Sequence, residues 1–225
     1  MPTLPEIAER LSFFVTTSAA VTVMLTAGII VVVKDWRASL LAMVIQYVIA
    51  GLLLMSEIRM ELALIKTLVG ALLCVILYMT ARHVGWGRSS HPPADDDLVQ
   101  VNEESLPSQW TLPTELPFRF LAALLVMVVA YGGASAFPLP DVNEAISLAV
   151  YTMAALGLLA MGLTDEPFKA GLGLLTYVSA FELYYTVLEP SLIVVGFLGV
   201  SNFLIALAIA YLTVARYAQL AFPNQ

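Results

Sequence analysis

Long apolar runs separated by short polar breaks make up most of this chain. A helix needs about 20 apolar residues to cross a bilayer core of about 30 Å. Measured against that length, the pattern predicts an all-α polytopic integral membrane protein with about seven transmembrane helices. The predicted spans are Leu11–Val33, Ala38–Ser56, Leu62–Thr80, Phe118–Phe137, Ala145–Leu163, Phe168–Leu188 and Ser191–Ala215.

The breaks between the runs carry the residues expected at helix ends. Pro138 and Pro140 follow the fourth run, and Pro190 divides the sixth run from the seventh, because proline cannot continue a helix. The least distinct break is Glu57–Glu61. It is compatible with a tight hairpin or with one long bent helix, and its three charges in five residues favour the hairpin.

Composition supports a membrane protein and excludes several other classes. Hydrophobic residues make up 60% of the chain, charged residues 12%, and the mean hydropathy is +0.89, well outside the balance of soluble domains. The net charge of −7 argues against nucleic acid as a partner. The single cysteine, Cys74, excludes an internal disulfide framework, and the spacing of the histidines and acidic residues predicts no metal site and no cofactor. With Glu6 and Glu9 near its start, the N-terminus does not resemble a cleavable signal.

The distribution of basic residues predicts an orientation. One side of the seven spans carries seven Lys and Arg residues and the other side only two, Arg10 and Arg59. Cytoplasmic segments of membrane proteins carry the excess of basic residues. We therefore expect the N-terminus outside and the C-terminus in the cytoplasm. The seven residues are Lys34, Arg37, Arg82, Arg88, Arg119, Lys169 and Arg216.

One long hydrophilic segment, 85–117, separates residues 1–84, with three predicted spans, from 118–225, with four. Its acidic residues and low hydrophobicity are typical of a flexible linker, and the orientation above places it in the cytoplasm. His91 stands near the acidic run Asp95–Asp97, but the segment lacks the spacing and rigidity that a metal site needs.

Ionisable residues inside membrane spans are costly and often functional. Lys66 in the third span and Glu182 in the sixth are the two that lie clearly inside. The predicted spans place them about 6 Å and about 9 Å from the same surface, so we expect the two spans to approach and the side chains to pair directly or through water. Alternatively, Lys66 extends its ammonium group to the interface and Glu182 only contributes to packing.

Neutral polar residues are predicted at greater depth. Gln46 lies in the middle of the second span, and Ser201 and Asn202 lie in the middle of the seventh. Buried amides usually bond to neighbouring helices, so packing is the default interpretation. With Glu182 and Lys66, Gln46 and Asn202 are nevertheless the candidates for an ion or proton relay. No motif of an enzyme active site occurs in the chain.

The last three spans carry a pattern of a known kind. A polar turn, Leu163–Lys169, leads into a helix with the isolated Glu182 in Phe181–Leu183, and a helix rich in Gly, Ala and Ile follows. This pattern resembles the 4L-type (NuoK-like) subunits of respiratory complex I. It is also similar to their relatives in multisubunit sodium/proton antiporters (MrpC type) and in membrane-bound hydrogenases (hydrogenase-4 component E type). The stretch from Gln46 through Lys66 to Gly70 resembles hydrophobic subunits that accompany them.

The resemblance implies a function that the residues alone leave open. In the 4L-type family the intramembrane glutamate belongs to a proton-conducting chain, and Glu182 matches that residue. Complex I-type members carry a second glutamate in the next helix, where this chain has Ser201-Asn202. The implied protein is a non-catalytic subunit of an ion-translocating assembly in a prokaryotic cell membrane, surrounded by lipid and other hydrophobic subunits. A small stand-alone transporter and a structural or assembly protein are the alternatives.

Overall fold

A computed structural model describes the backbone of residues 4–55, 57–58, 60–84 and 115–221, and the side chains of residues 17–55, 57–58, 60–84 and 116–217. Within these ranges the chain forms seven α-helices and no strands. The helices are α1 (Leu4–Val32), α2 (Trp36–Met55), α3 (Met60–His83), α4 (Glu115–Ala136), α5 (Glu144–Gly162), α6 (Pro167–Leu188) and α7 (Leu192–Ala221).

These helices confirm the predicted all-α polytopic architecture. Six of them, α2 to α7, are long and apolar enough to cross a membrane. The part of α1 whose side chains are described, Thr17–Val32, is a shorter apolar helix. The main differences lie at the ends of the chain, where α1 begins before Leu11 and α7 continues beyond Ala215. The expected hairpin between α2 and α3 is confirmed, since α2 ends at Met55 and the backbone N–H of Glu57 closes a turn on Leu54 O. The flexible-linker prediction concerns residues 85–117. Of these, 85–114 lie outside the described part, and α4 begins at Glu115.

The helices form two groups that each draw on both halves of the chain. In the first group α2 packs on α3, α3 on α7, α7 on α6 and α6 on α2, so that these helices close a four-helix ring. In the second group α1, α4 and α5 pack on one another, with α1 resting on α2 and α5 on α6. Because α2 and α3 precede residues 85–114 and α6 and α7 follow them, the ring can form only when both halves have been made.

The backbones of α5 and α6 approach each other closely at two glycines. A Cβ atom added to Gly157 would lie 2.7 Å from the backbone nitrogen of Tyr177 and 2.8 Å from the backbone oxygen of Gly173. A Cβ atom added to Gly173 would lie 2.9 Å from the backbone oxygen of Gly157. Small residues allow helix backbones to approach closely inside membranes, and this contact fixes the position of α6 against α5.

Basic side chains bond to backbone carbonyls at one end of the bundle, which we term the basic face. Arg119 donates to Leu163 O at 2.9 Å, Lys169 donates to Val33 O at 3.1 Å, and Arg216 donates to Asp165 O. The last carbonyls of a helix have no partner within it and attract cations. The basic face thereby ties α4, α6 and α7 to the ends of α1 and α5.

The burial of Lys169 adds to the sequence interpretation. The predicted sixth span, Phe168–Leu188, already contained this residue at its start, and it does lie in the first turn of α6, but it is only 7% exposed. With Lys66 and Glu182 it is one of three buried Lys or Glu side chains in the described part of the chain. Its bond to the C-terminal end of α1 compensates for the burial, because the Val33 carbonyl accepts a hydrogen bond that water would otherwise accept.

Large apolar side chains cover the outside of the bundle. Only 11% of the apolar window of α4 and 22% of that of α7 are buried. Soluble proteins rarely expose apolar patches of this extent, whereas a lipid bilayer accommodates them. The outward-facing residues of α4 include Phe118, Phe120, Leu121, Leu124, Leu125, Val128, Val129 and Tyr131.

Candidate functional site

A buried ion pair lies at the centre of the four-helix ring. The Lys66 ammonium donates a hydrogen bond to Glu182 Oε2 at 3.2 Å, and the two side chains are 5% and 4% exposed. α3 and α6 face each other across the ring, so the pair bridges its interior. The predicted contact between Lys66 and Glu182 is therefore confirmed, and Lys66 does not extend to the membrane surface.

Helical spacing aims both charges into the ring. On α3, the residues at positions 63, 66, 70, 73 and 77 are all buried, which is one stripe of a helix with 3.6 residues per turn. On α6, Leu175, Ser179, Glu182 and Thr186 form the equivalent buried stripe. Lys66 and Glu182 thus occupy positions where an apolar residue would ordinarily pack.

Further polar side chains are buried in the ring helices. Asn202 of α7 is 1% exposed, Ser179 of α6 2%, and Gln46 and Tyr47 of α2 3% each. Within the described part of the chain, one oxygen atom of each of these residues and one of Glu182 have no hydrogen-bond partner: Gln46 Oε1, the Tyr47 hydroxyl, Ser179 Oγ, Glu182 Oε1 and Asn202 Oδ1. The Tyr47 hydroxyl lies near Ser179 and Glu182 without reaching hydrogen-bond geometry with either. Such a concentration of unpaired polar atoms is costly in a protein interior.

A small cavity adjoins the ion pair. It leaves about 10 Å³ for the centre of a water molecule, which is close to what one water requires. Polar groups of Tyr47, Lys66, Glu182 and Asn202 line it, together with Thr186 and apolar residues of α3 and α7. The cavity is therefore polar enough, and just large enough, to hold one water molecule. Gln46 and Ser179 are also buried but do not line it.

Gly70 holds Tyr47 in place beside the cavity. A Cβ atom added to Gly70 would lie 2.4 Å from Cγ of the Tyr47 ring and 2.8 Å from its Cβ. The ring occupies the space that any larger residue at position 70 would need, and Tyr47 consequently lines the cavity. In this way a residue of α3 determines where a hydroxyl group of α2 lies.

The arrangement can hold charge and a proton-exchanging group within the membrane. One carboxylate oxygen of Glu182, Oε2, accepts a hydrogen bond from Lys66. The other oxygen, Oε1, has no hydrogen-bond partner among the described residues. A water molecule in the cavity would offer Oε1 a hydrogen bond and a route for protons. With one positive and one negative charge the pair is neutral overall, which limits the cost of burying it.

Three of the four candidate relay residues of the sequence, Lys66, Glu182 and Asn202, meet at the cavity. The fourth, Gln46, is buried on α2 and does not line the cavity. Their roles in a relay stay predictions. Sequence reasoning missed Tyr47, Ser179 and Thr186 as polar neighbours. Ser179 and Thr186 lie three residues before and four residues after Glu182, on the same helix face, and this spacing was the available signal.

No cluster of three or more His, Cys, Asp or Glu residues that could hold a metal ion occurs in the part of the chain that the structure describes. Comparison of the chain with protein-family models, curated proteins and solved structures found no match. The resemblance of the last three spans to 4L-type subunits therefore stays a prediction, and the argument for function depends on the geometry of the ring.

Proposed function

We propose that this protein is a membrane subunit of an ion-translocating assembly, in which the Lys66–Glu182 pair takes part in proton transfer. The observation that carries the proposal is a buried carboxylate that has a cation on one side and a water-sized polar cavity on the other. A purely structural ion pair needs its remaining oxygen to be hydrogen-bonded. Glu182 Oε1 has no such bond among the described residues.

In the proposed mechanism Lys66 positions and stabilises the ionised form of Glu182. When a proton reaches Glu182 Oε1 through water in the cavity, the pair loses its charge balance and Lys66 can turn its ammonium to Asn202 Oδ1 or the Tyr47 hydroxyl. Loss of that proton restores the pair. Ionisable groups inside membranes commonly serve such relays. Asn202 does not itself release or take up protons near neutral pH, so its role is to hold water.

The described chain accounts for only part of a path across the membrane, and this favours a subunit over a complete transporter. Its charged centre lies in one half of the ring, and its outer surface presents broad apolar faces on α3, α4 and α7. Lipid covers such faces, and so would neighbouring hydrophobic subunits. The orientation that agrees with the basic residues places the basic face in the cytoplasm.

The first experiment asks whether the protein is part of an assembly. The full chain is purified from its native membranes in mild detergent, and the mass of the particle and its other proteins are determined. We expect a particle with further hydrophobic subunits. A chain that purifies alone, at the mass of one or a few copies, would overturn the subunit proposal.

The second experiment tests the relay in that particle. Glu182→Gln keeps the size of the side chain but removes the titrating group, so the assembly should form and its proton translocation should fall at least about tenfold, toward the loss expected of an essential general acid or base. The matched control is Glu189→Gln, which changes an exposed carboxyl at the end of α6 and should leave translocation unchanged. Normal translocation by the Glu182→Gln assembly would refute the relay.

A further inference from the structure

The polar groups around the Lys66–Glu182 pair lie toward one face of the bundle. The face opposite the basic face carries the α2–α3 and α6–α7 connections, and we term it the hairpin face. At 1.5 Å per residue, Lys66 and Glu182 both lie about 9 Å from the helix ends at that face, Tyr47 about 12 Å and Asn202 about 15 Å. The polar centre therefore occupies the half of the membrane nearer the hairpin face.

The cavity extends from this centre toward the hairpin face. Its lining includes Thr186, two residues before the end of α6, and Val195, three residues after the start of α7. Both residues lie within about one helical turn of that face. At its other end the cavity stops at Asn202 and Gly70, near the middle of the membrane. On the side of the hairpin face the cavity is thus covered only by the last turn of α6 and the first turn of α7, where Thr186 is 1% and Val195 5% exposed.

Between Asn202 and the basic face, apolar side chains of the same four helices pack together in a layer. Its members come from the parts of α2, α3, α6 and α7 nearer the basic face, and they include Leu40, Met43, Leu73, Leu77, Phe168, Leu172, Leu175 and Ile209. Each of these side chains is at most 5% exposed. Along their helices they lie about 18 to 30 Å from the hairpin face. Close-packed apolar side chains leave no space for water.

A water molecule in the cavity would satisfy three of the five oxygen atoms that lack partners, those of Tyr47, Glu182 and Asn202. Its two hydrogens could bond to Glu182 Oε1 and Asn202 Oδ1, and its lone pairs could accept from the Lys66 ammonium and the Tyr47 hydroxyl. These bonds agree with the three or so that buried water usually makes. The cavity volume admits one water molecule, and further water that arrives from the hairpin face would pass Thr186 and Val195.

From this distribution we propose that the Lys66–Glu182 centre is a one-sided access site, which exchanges water and small cations with the hairpin face and is sealed from the basic face by the apolar layer. The proposal extends the proposed function, because one-sided access is useful to the protein only if the Lys66–Glu182 pair takes part in proton transfer. It implies that this chain in the described conformation supplies half of a path, so that the other half comes from a rearrangement or from a neighbouring subunit.

Silver ions provide a probe of suitable size. Ag⁺ reacts with thiols, is small enough to follow water, and as an ion does not cross an apolar layer. Thr186→Cys and Gly199→Cys place thiols in the cavity, each in a Cys74→Ala background. A Cβ atom at Gly199 would make its nearest contact at 3.4 Å, with Val69, so the substitution fits. The native Cys74, 5% exposed and within the apolar layer, reports on the layer itself.

The measurement uses sealed vesicles of both orientations that contain the native particle. Glu189→Cys marks the hairpin face and Glu166→Cys the basic face, since both residues are exposed. After exposure to Ag⁺ the protein is denatured, and the remaining free thiols are alkylated and counted by mass. We expect the cavity thiols to react in the vesicles in which Glu189→Cys reacts, and at least about tenfold more slowly in the other orientation. Native Cys74 should be unreactive in both.

Three results would overturn the proposal. They are equal reaction of the cavity thiols from both faces, reaction of neither cavity thiol from the hairpin face, and reaction of native Cys74 from the basic face at the rate of Glu166→Cys. The test does not depend on translocation. One-sided access together with normal translocation by Glu182→Gln would therefore refute the relay and keep the access site. Access from both faces together with lost translocation by Glu182→Gln would refute the access site and keep the relay.

Discussion

The energy of the Lys66–Glu182 pair can be tested by a double-mutant cycle. Glu182→Gln keeps the shape of the side chain and leaves the Lys66 ammonium buried without its counter-charge. Both side chains are at most 5% exposed, so solvent does little to screen the remaining charge. Breaking one partner of a buried pair costs about 3–5 kcal/mol. We expect a loss of this size in the free energy of unfolding.

Removing the second charge should recover most of that loss. In Glu182→Gln with Lys66→Met no unpaired charge remains, and methionine fills much of the volume of the lysine stem. Exchanging a buried pair for neutral groups is often close to neutral in stability. The double variant should therefore lie within about 1 kcal/mol of the original chain, which corresponds to a coupling energy of about 2–3 kcal/mol or more.

Thermal unfolding of the full chain in lipid nanodiscs, followed by the loss of helical circular dichroism, gives the measurement. At about 2–4 °C per kcal/mol for a chain of this size, Glu182→Gln should lower the midpoint by about 6 to 20 °C. The exposed Glu189→Gln serves as control and should change it by less than about 2 °C. A fall of less than about 2 °C for Glu182→Gln, or a double variant as unstable as the sum of both single variants, would refute the reasoning.

Two further predictions concern packing and orientation. Gly157→Ala should destabilise the chain by about 1–3 kcal/mol, because the new methyl group meets the backbone of α6 at 2.7–2.8 Å. The control Gly196→Ala, with nothing within 4 Å of the added atom, should be neutral or stabilising by up to about 1 kcal/mol. Equal effects of the two variants on thermal unfolding would contradict the α5–α6 contact. Cysteines introduced at Ser105 and Asn143 should react with an impermeant thiol reagent from opposite sides of the membrane, with Asn143 outside, and reaction of Ser105 alone from outside would reverse the orientation.

The sequence alone determined the helices and the depth of the charged residues. Apolar runs of membrane length and the charges of Glu57–Glu61 are local features, and they placed most helix ends within three residues of those observed. The depth of Lys66 and Glu182 follows from counting residues along a helix of fixed rise. Since opposite charges at equal depth gain by meeting in an apolar medium, their contact could also be predicted.

Only the tertiary structure decided which helices surround the pair. The ring of α2, α3, α6 and α7 depends on which faces pack together, and in chains that are apolar on nearly all sides the periodicity distinguishes those faces poorly. The places of Tyr47 and Asn202 therefore could not be derived from their neighbours in the sequence. The buried contact of Lys169 could not be derived for a related reason, because its partner Val33 is 136 residues away in the sequence.

The one-sided layout of the ring has the same origin. The sequence shows polar residues in α2, α3, α6 and α7 and apolar residues on either side of them, but it does not show that these stretches converge. Packing of the four helices brings the polar part around the ion pair to one level of the ring and the apolar part to another. Cavity and seal thus arise from the registration of four helices, which is a property of their mutual contacts and of no single segment.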